Sequence, residues 1–124
     1  MRLLAIAATL AVHAAGCASP PKGFDDVRVT GHGQDGGGDF CADFALTPAQ
    51  ARAFLARAAA VTPLEQHDRF ELLPCWVRGT AHDARGEWHW EVRAGGTARL
   101  EAPGGEVTLL GCDACDELLG GKKR

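Results

Sequence analysis

The chain has 124 residues, with 13 Lys and Arg against 16 Asp and Glu, so its formal net charge is −3 at pH 7. This length predicts one small domain, and the mild acidity excludes a general affinity for nucleic acid. The only basic run, Lys122 to Arg124, lies at the C-terminal end, where three charges are typical of a solvated tail.

Residues 1–16 have the order of a secretory signal peptide. Arg2 supplies a positive charge, an apolar run follows, and the small residues Ala15 and Gly16 directly precede Cys17. The apolar run of about 13 residues is shorter than the about 20 that a membrane-spanning helix needs. The small-residue ending resembles a bacterial lipobox, which predicts that Cys17 is acylated and becomes the mature N-terminus.

Acylation of Cys17 predicts a lipoprotein of the cell envelope. We expect palmitate among the lipids on Cys17, membrane anchorage through those lipids, and a domain that faces the periplasm. Ala18 follows the cysteine, which favours the outer membrane over the inner one under the enterobacterial sorting rule. Ordinary cleavage, with release of the protein from the membrane, is the alternative interpretation.

The folded part is predicted as a single domain over residues 24–119. A tether at 17–23 precedes it and contains Pro20 and Pro21. Adjacent prolines are typical of a linker, because proline has no N–H to donate to a strand ladder. A basic tail at 120–124 follows the domain.

The domain is predicted to begin with a strand, a loop and a helix. Alternating valines predict the strand over 24–31, and a Gly-rich loop follows over 32–39. Thr47 and Gln50 then have the spacing of a capping box, with a proline at the first helical position. The helix continues to Pro63, which ends it. Its apolar stripe comprises Ala51, Phe54, Leu55, Ala58 and Val61.

Beyond the helix, the apolar period changes from helical to alternating. Hairpin-length turns separate the predicted strands, which are Cys75 to His82, Glu87 to Arg93, Thr97 to Ala102 and Glu106 to Gly111. Successive hairpins of this kind form an antiparallel meander. We therefore predict an α+β fold, in which one amphipathic helix packs on an antiparallel β-meander of about four to five strands, stapled by disulfides.

The second strand of this meander has two chemically different faces. Trp88 and Trp90 share one face, which is either the core beneath the helix or, where the helix leaves it open, a binding platform for a partner or a glycan. Glu87, His89 and Glu91 share the other face. That face is either a solvated polar surface or a paired-carboxylate hydrolytic site. These five residues form the candidate binding surface.

Four cysteines remain once Cys17 is assigned to the lipid. An even number in a small exported domain indicates disulfides, and four cysteines permit three pairings. We expect Cys41 to pair with Cys75 and Cys112 with Cys115. Crossed pairings, such as Cys41 with Cys112, stay open.

The C-x-x-C sequence of Cys112 and Cys115 is also the strongest candidate for redox or metal chemistry. Redox motifs use nearby cations to lower the pKa of the first thiol, whereas acidic residues surround this pair. A zinc site needs more ligands, and His67, His82 and His89 do not have ligand spacing. We therefore predict no metal, no cofactor and no enzymatic activity. Thiol-redox activity or metal binding at Cys112 and Cys115 is the alternative.

Several short motifs between Cys41 and Cys115 form a combined pattern. They are Cys41-Ala42-Asp43-Phe44, Arg57-Ala58, His67-Asp68, Pro74-Cys75, Gly79, Trp90, Ala94-Gly95-Gly96-Thr97 and Cys112-Asp113-Ala114-Cys115. The combination resembles a group of small uncharacterised bacterial lipoproteins. The resemblance implies an envelope location and one framework that includes all four cysteines, and it implies no catalytic residue.

The function predicted for the chain is that of a non-catalytic binding or structural module of the envelope. The chain has no serine outside the tether and no phosphate-binding loop. Its most distinctive features are the predicted signal peptide, which serves export, and the four remaining cysteines, which are expected to form disulfides. A tethered small domain presents a surface to another envelope molecule, either a protein or a glycan, and the exposed face of the sheet is the expected surface.

Overall fold

The structure is a computed structural model that describes residues 23–120. The predicted signal peptide, the acylation site Cys17, the tether up to residue 22 and the tail from residue 121 lie outside the described residues. Within the described part of the chain, no helix has the length and apolar character needed to cross a membrane.

The described residues form one antiparallel sheet and two short helices. The strands are β1 (Asp25–Gln34), β2 (Ala59–Ala60), β3 (Cys75–Asp83), β4 (Gly86–Arg93), β5 (Thr97–Glu101) and β6 (Val107–Gly111), and the helices are α1 (Pro48–Arg57) and α2 (Pro63–Arg69). The sheet has six strands in the order β1-β3-β4-β5-β6-β2. The predicted meander is confirmed, because β3 to β6 are neighbours in chain order. The predicted number of about four to five strands is too low.

The additional pairing lies at the two edges of the sheet. β2 pairs Ala59 with Gly111 and Ala60 with Leu110, and two residues are too few to show a period in the sequence. β1 continues to Gln34, opposite Cys75. The loop predicted over 32–39 is therefore wrong in its first three residues, which extend the strand.

α1 begins where the sequence predicts and ends earlier. The Thr47 hydroxyl accepts the N–H of Gln50 at 3.1 Å, and the Gln50 side-chain oxygen accepts the N–H of Thr47 at 2.8 Å, so the capping box is confirmed. Its buried residues are Ala51, Phe54 and Leu55. The predicted end at Pro63 is wrong, because Ala58 is extended, with ψ 148°, and leads directly into β2.

α2 begins with the same capping pattern and was not expected. The Thr62 hydroxyl accepts the N–H of Glu65 at 3.1 Å, and Glu65 Oε1 accepts the N–H of Thr62 at 3.1 Å. The bond from the Thr62 backbone also lowers the pKa of the Glu65 carboxyl. Pro63 is the first residue of α2. Proline is common at the first position of a helix, so the interpretation of Pro63 as the end of α1 misses the start of α2 at the same residue.

The core lies between α1 and one face of the sheet. Trp88 and Trp90 belong to it, with 4% and 2% of their surfaces exposed. Trp88 Nε1 donates to Asp83 Oδ1 at 2.7 Å, and Trp90 Nε1 donates to the Thr80 carbonyl oxygen at 3.0 Å. Both indole N–H groups are thus satisfied inside the fold. The structure supports the interpretation of these tryptophans as core, and they do not form an exposed platform.

Two disulfides hold the ends of the sheet. Cys41 is joined to Cys75 with the Cα atoms 5.3 Å apart, which ties the loop after β1 to the start of β3. Cys112 is joined to Cys115 with the Cα atoms 5.6 Å apart, which closes the turn after β6. This is the expected pairing, and the crossed alternatives do not form.

Candidate binding face

α1 covers one face of the sheet, and we call the opposite face the outer face. Successive side chains of a strand alternate between the two faces. Glu87, His89 and Glu91 therefore lie on the outer face, whereas Trp88 and Trp90 lie in the core. The five residues of the predicted binding surface are divided between the two faces, and its three polar members remain as candidates.

Glu91 is the centre of an ionic ladder on the outer face. Its side chain is 19% exposed, and its two oxygens lie 2.6 Å from Arg78 Nε and 3.2 Å from Arg93 Nη2. Arg93 Nη1 donates to Asp35 at 2.6 Å, and this bond lowers the pKa of the Asp35 carboxyl. The Arg78 guanidinium also stacks 3.8 Å from the centre of the Trp76 ring. Both Glu91 oxygens therefore face a guanidinium.

Glu87 lies between two of the three histidines that were considered as metal ligands. Its carboxylate oxygens lie 3.4 Å from His82 Nε2 and 3.3 Å from His89 Nε2. The third predicted histidine, His67, lies on α2 with Nδ1 3.1 Å from Asp68 Oδ1. Within residues 23–120, no group of three His, Cys, Asp or Glu side chains is arranged to hold a metal ion.

A groove of about 360 Å³ crosses the outer face beside α2. Its apolar lining residues are Leu72, Leu73, Pro74 and Leu109, which we call the apolar bank, and its charged lining residues are Asp35, Glu91, Arg93 and Arg99, which we call the charged bank. The two sets adjoin, because Arg99 lies beside Leu109 on the neighbouring strand and the Asp35 N–H donates to the Pro74 carbonyl oxygen. Arg99 pairs with Glu101 at 3.2 Å and keeps half of its side chain exposed. The volume is at the lower end of the range for small-molecule sites, about 300 to 1,000 Å³. The groove therefore suits an occupant that carries both apolar and polar groups.

A second, smaller depression lies beside the groove, over β4. It has a volume of about 290 Å³ and is lined by residues that include Thr30, Arg78 and His89. Glu91 and Arg99 line both cavities. The two cavities are therefore neighbours on the outer face, with Glu91 and Arg99 at the place where they adjoin.

The segment that follows α2 builds the apolar bank of the groove. The Phe70 ring packs directly on Gly111, where a β-carbon would come within 2.5 Å of it. Gln66 Nε2 donates to the carbonyl oxygens of Ala98 at 3.4 Å and Leu110 at 3.3 Å. These contacts hold α2 and the following residues on β5 and β6. The groove cannot be predicted from the sequence pattern, because its wall depends on α2.

Cys112 and Cys115 form a buried disulfide. Both residues belong to the core, so an external thiolate would reach them only after local opening. Asp113 forms an ion pair with the last residue of α2, and Glu117 forms one with the last residue of α1. These ion pairs are largely exposed and contribute little free energy, but they place the turn after β6 beside the last residues of both helices.

Comparison with known proteins identifies no relative. No protein-family model, curated protein or solved structure matches the chain. The resemblance to small bacterial lipoproteins therefore stays a prediction based on its motifs. The function is inferred from the outer face and from the residues around Cys17.

Proposed function

We propose that this protein is an envelope lipoprotein that binds another envelope molecule, a protein or a glycan, through its outer face and without catalysis. The charged, apolar and small-residue order before Cys17 supports acylation and export. The tether then separates the domain from the membrane surface. Ala18 favours the outer membrane, with the domain facing the periplasm.

The groove is the observation that carries the binding proposal. Leu72 is 60% exposed on its apolar bank, and an exposed apolar side chain beside a concave surface is typical of an interaction site. On the charged bank, the ionic ladder fixes Glu91 and Arg93 before any ligand arrives. Groups held in place in this way lose little conformational freedom on binding, which favours affinity.

The side chains that an enzyme would need are already engaged. Both oxygens of Glu91 face guanidinium groups, so Glu91 is not available as a second free carboxylate beside Glu87. Cys112 and Cys115 are joined and buried. These arrangements favour a binding role over hydrolysis or thiol exchange. Strong thiol labelling of Cys112 and Cys115 in freshly isolated protein would favour the redox or metal-binding alternative instead.

Site-specific photocrosslinking in the native envelope tests the groove. A photoreactive phenylalanine analogue is placed at Leu72 and, as a matched control, at Leu64, which is similarly exposed, at 69%, but does not line the groove. We expect a discrete adduct from position 72 only. Adding Arg99→Ala, which removes a charge from the lining of the groove, should reduce its yield. No adduct from position 72, or equal adducts from both positions, contradicts the proposal.

Mass spectrometry of the protein isolated from its native envelope tests the anchor. We expect the mature chain to begin at Cys17 and to carry the mass of acyl chains on that residue. An unmodified N-terminus at another residue contradicts the anchor. This result would leave the crosslinking test of the groove unaffected, because the groove lies within the folded domain.

A further inference from the structure

The chain enters the sheet at one end of its strands. Phe24, the residue before β1, is buried and packs edge-on against Trp88, with the ring centres 5.6 Å apart. Asp25 then pairs with His82, so the entry point lies beside the turn between β3 and β4. We call this end of the sheet the entry end, and it also contains the turn between β5 and β6.

The groove lies at the opposite end of the sheet. Asp35 directly follows β1, Pro74 directly precedes β3, and Arg93 is the last residue of β4. All three line the groove, and the Asp35 N–H donates to the Pro74 carbonyl oxygen at 3.1 Å. β4 has eight residues, so with a rise of about 3.4 Å per residue the two ends of the sheet are about 25 Å apart.

The proposed acyl anchor on Cys17 is close in sequence to the entry end. Seven residue steps separate Cys17 from Phe24, and seven residues span at most about 25 Å when fully extended. The groove end would therefore reach the membrane only if the tether ran along the whole height of the sheet at full extension. Such an arrangement costs conformational entropy at every tether residue, so the tether length favours the entry end as the end that faces the membrane.

The entry end is acidic. Among the described residues, its carboxylates are those of Asp25, Asp26, Asp83, Glu87, Glu101 and Glu106. Its guanidinium groups are those of Arg28 and Arg85, so six carboxylates and two guanidinium groups give a formal charge of −4 with neutral histidines. Lys22 of the tether offsets one of these charges. Adhesion to an anionic bilayer requires basic residues, so this end is repelled by anionic lipid.

We propose that the domain stands with its acidic entry end toward the membrane that holds Cys17, kept off the lipid by charge, and with its groove at the end remote from that membrane. This inference rests on the proposed acylation of Cys17 and deepens the proposed function. The groove lies about 25 Å beyond the entry end, so the lipids of the anchoring bilayer do not reach it. The partner therefore presents its binding group in the aqueous compartment beyond the anchoring membrane.

Energy transfer from a fluorescent amino acid to acceptor-labelled lipid headgroups tests the orientation. The acylated chain is placed in vesicles of phosphatidylethanolamine and phosphatidylglycerol, with the fluorescent residue at Val107 or at Leu72. Val107 begins β6 at the entry end, Leu72 lines the groove, and both are exposed, at 45% and 60%. We expect higher transfer from position 107 than from position 72. Equal transfer from the two positions, or higher transfer from position 72, overturns the proposal.

Charge reversal tests the role of the acidic end. Glu106→Lys changes the charge of the entry end, and Asp39→Lys, on the loop after β1, makes the same change in net charge near the groove end. Replacing phosphatidylcholine with phosphatidylglycerol should lower transfer from position 107 in the wild type and in Asp39→Lys, and should lower it less in Glu106→Lys. The difference should disappear in about 1 M salt, where the Debye length is about 3 Å. Identical responses of the three chains overturn the role of charge.

Mass spectrometry of the same sample separates the failure of this inference from the failure of the proposed function. A chain without acyl mass on Cys17 contradicts the anchor and overturns this inference with it. An acylated chain with the reverse order of transfer overturns the orientation alone. In the native envelope, the photocrosslinked adduct from position 72 should contain no phospholipid, and a phospholipid adduct from that position also overturns the orientation.

Discussion

Each carboxylate oxygen of Glu91 forms an ion pair with a guanidinium group, one from Arg78 and one from Arg93, and 19% of the Glu91 side chain is exposed. A partly buried carboxylate in this position is stable only while its cationic partners remain, since removing one partner leaves a desolvated charge uncompensated. Arg93 is held from two sides, because it also donates to Asp35. At the residue scale, the ladder therefore determines the shape of the charged bank before a ligand binds.

Asp35→Asn is expected to reduce the loss of stability in acid. The bond from Arg93 lowers the pKa of Asp35 in the folded protein. Asp35 therefore stabilises the fold above its unfolded-state pKa, about 3.9, and this contribution is lost as the pH falls through the lower folded-state pKa. Urea unfolding at about pH 7 and about pH 2.5 should show a smaller decrease in unfolding free energy for the variant than for the wild type.

Asp39→Asn is the matched control for this prediction. Asp39 lies on the same loop, and its carboxylate forms no ion pair with a residue of the described range 23–120. The acid-induced decrease in unfolding free energy should therefore stay closer to the wild-type value in Asp39→Asn. A wild-type pH dependence in Asp35→Asn would show that the Arg93 bond does not act on stability.

At the scale of elements, α1 and α2 share one starting motif but bury different amounts of surface. Each begins with a threonine cap, a proline at the first helical position and a Gln or Glu that completes the capping box. α1 places Ala51, Phe54 and Leu55 in the core, whereas α2 has no buried residue. The cap of α1 therefore supports the core of the whole domain, whereas the cap of α2 supports only the local shape of the groove.

Removal of the two caps should give different results. Thr47→Ala is expected to lower the free energy of unfolding by about 1 kcal/mol, because the core depends on α1. Thr62→Ala should lower it less and should instead speed amide exchange at residues 65–69, because α2 can fray without exposing the core. Urea unfolding and hydrogen exchange on both variants measure the two effects. A larger global loss from Thr62→Ala would contradict this assignment.

The elements that the sequence predicts well have strong local signals. The β4 alternation around Trp88 and Trp90 and the α1 capping box both appear in the structure as expected. β2 has no local signal, because it forms only through pairing with β6. α2 has a signal at Thr62 and Glu65, but Pro63 serves equally well as the end of one helix and the start of another.

The groove has no local sequence signal, for a related reason. The alternation of β4 predicts that Glu91 lies opposite the core, and this is where the structure places it. The apolar bank, by contrast, depends on Phe70 packing on Gly111, which are distant in sequence and follow no shared period. Long-range contacts of this kind come from tertiary packing, which local patterns do not encode.

For the whole molecule, the two disulfides should contribute unequally to stability. Cys41 and Cys75 are separated by 34 positions, and Cys112 and Cys115 by three. A longer closed loop restricts the unfolded chain more, so we expect losses of about 4 kcal/mol for Cys41→Ala/Cys75→Ala and about 2 kcal/mol for Cys112→Ala/Cys115→Ala. Urea unfolding of both double variants without reductant measures the difference. A larger loss from the second variant would contradict the loop-length argument.

The disulfide between Cys41 and Cys75 also bears on when the chain folds. Such bonds persist in oxidising compartments and are rare where thiols are kept reduced. A domain of this size has a modest core, so under the proposed export route the newly made chain lacks several kcal/mol of its final stability before it leaves the cytosol. A weakly folded chain passes more easily through a secretion channel that admits unfolded polypeptide. If the proposed export occurs, the bond that secures the sheet would form only afterwards and would be absent while the chain crosses the membrane.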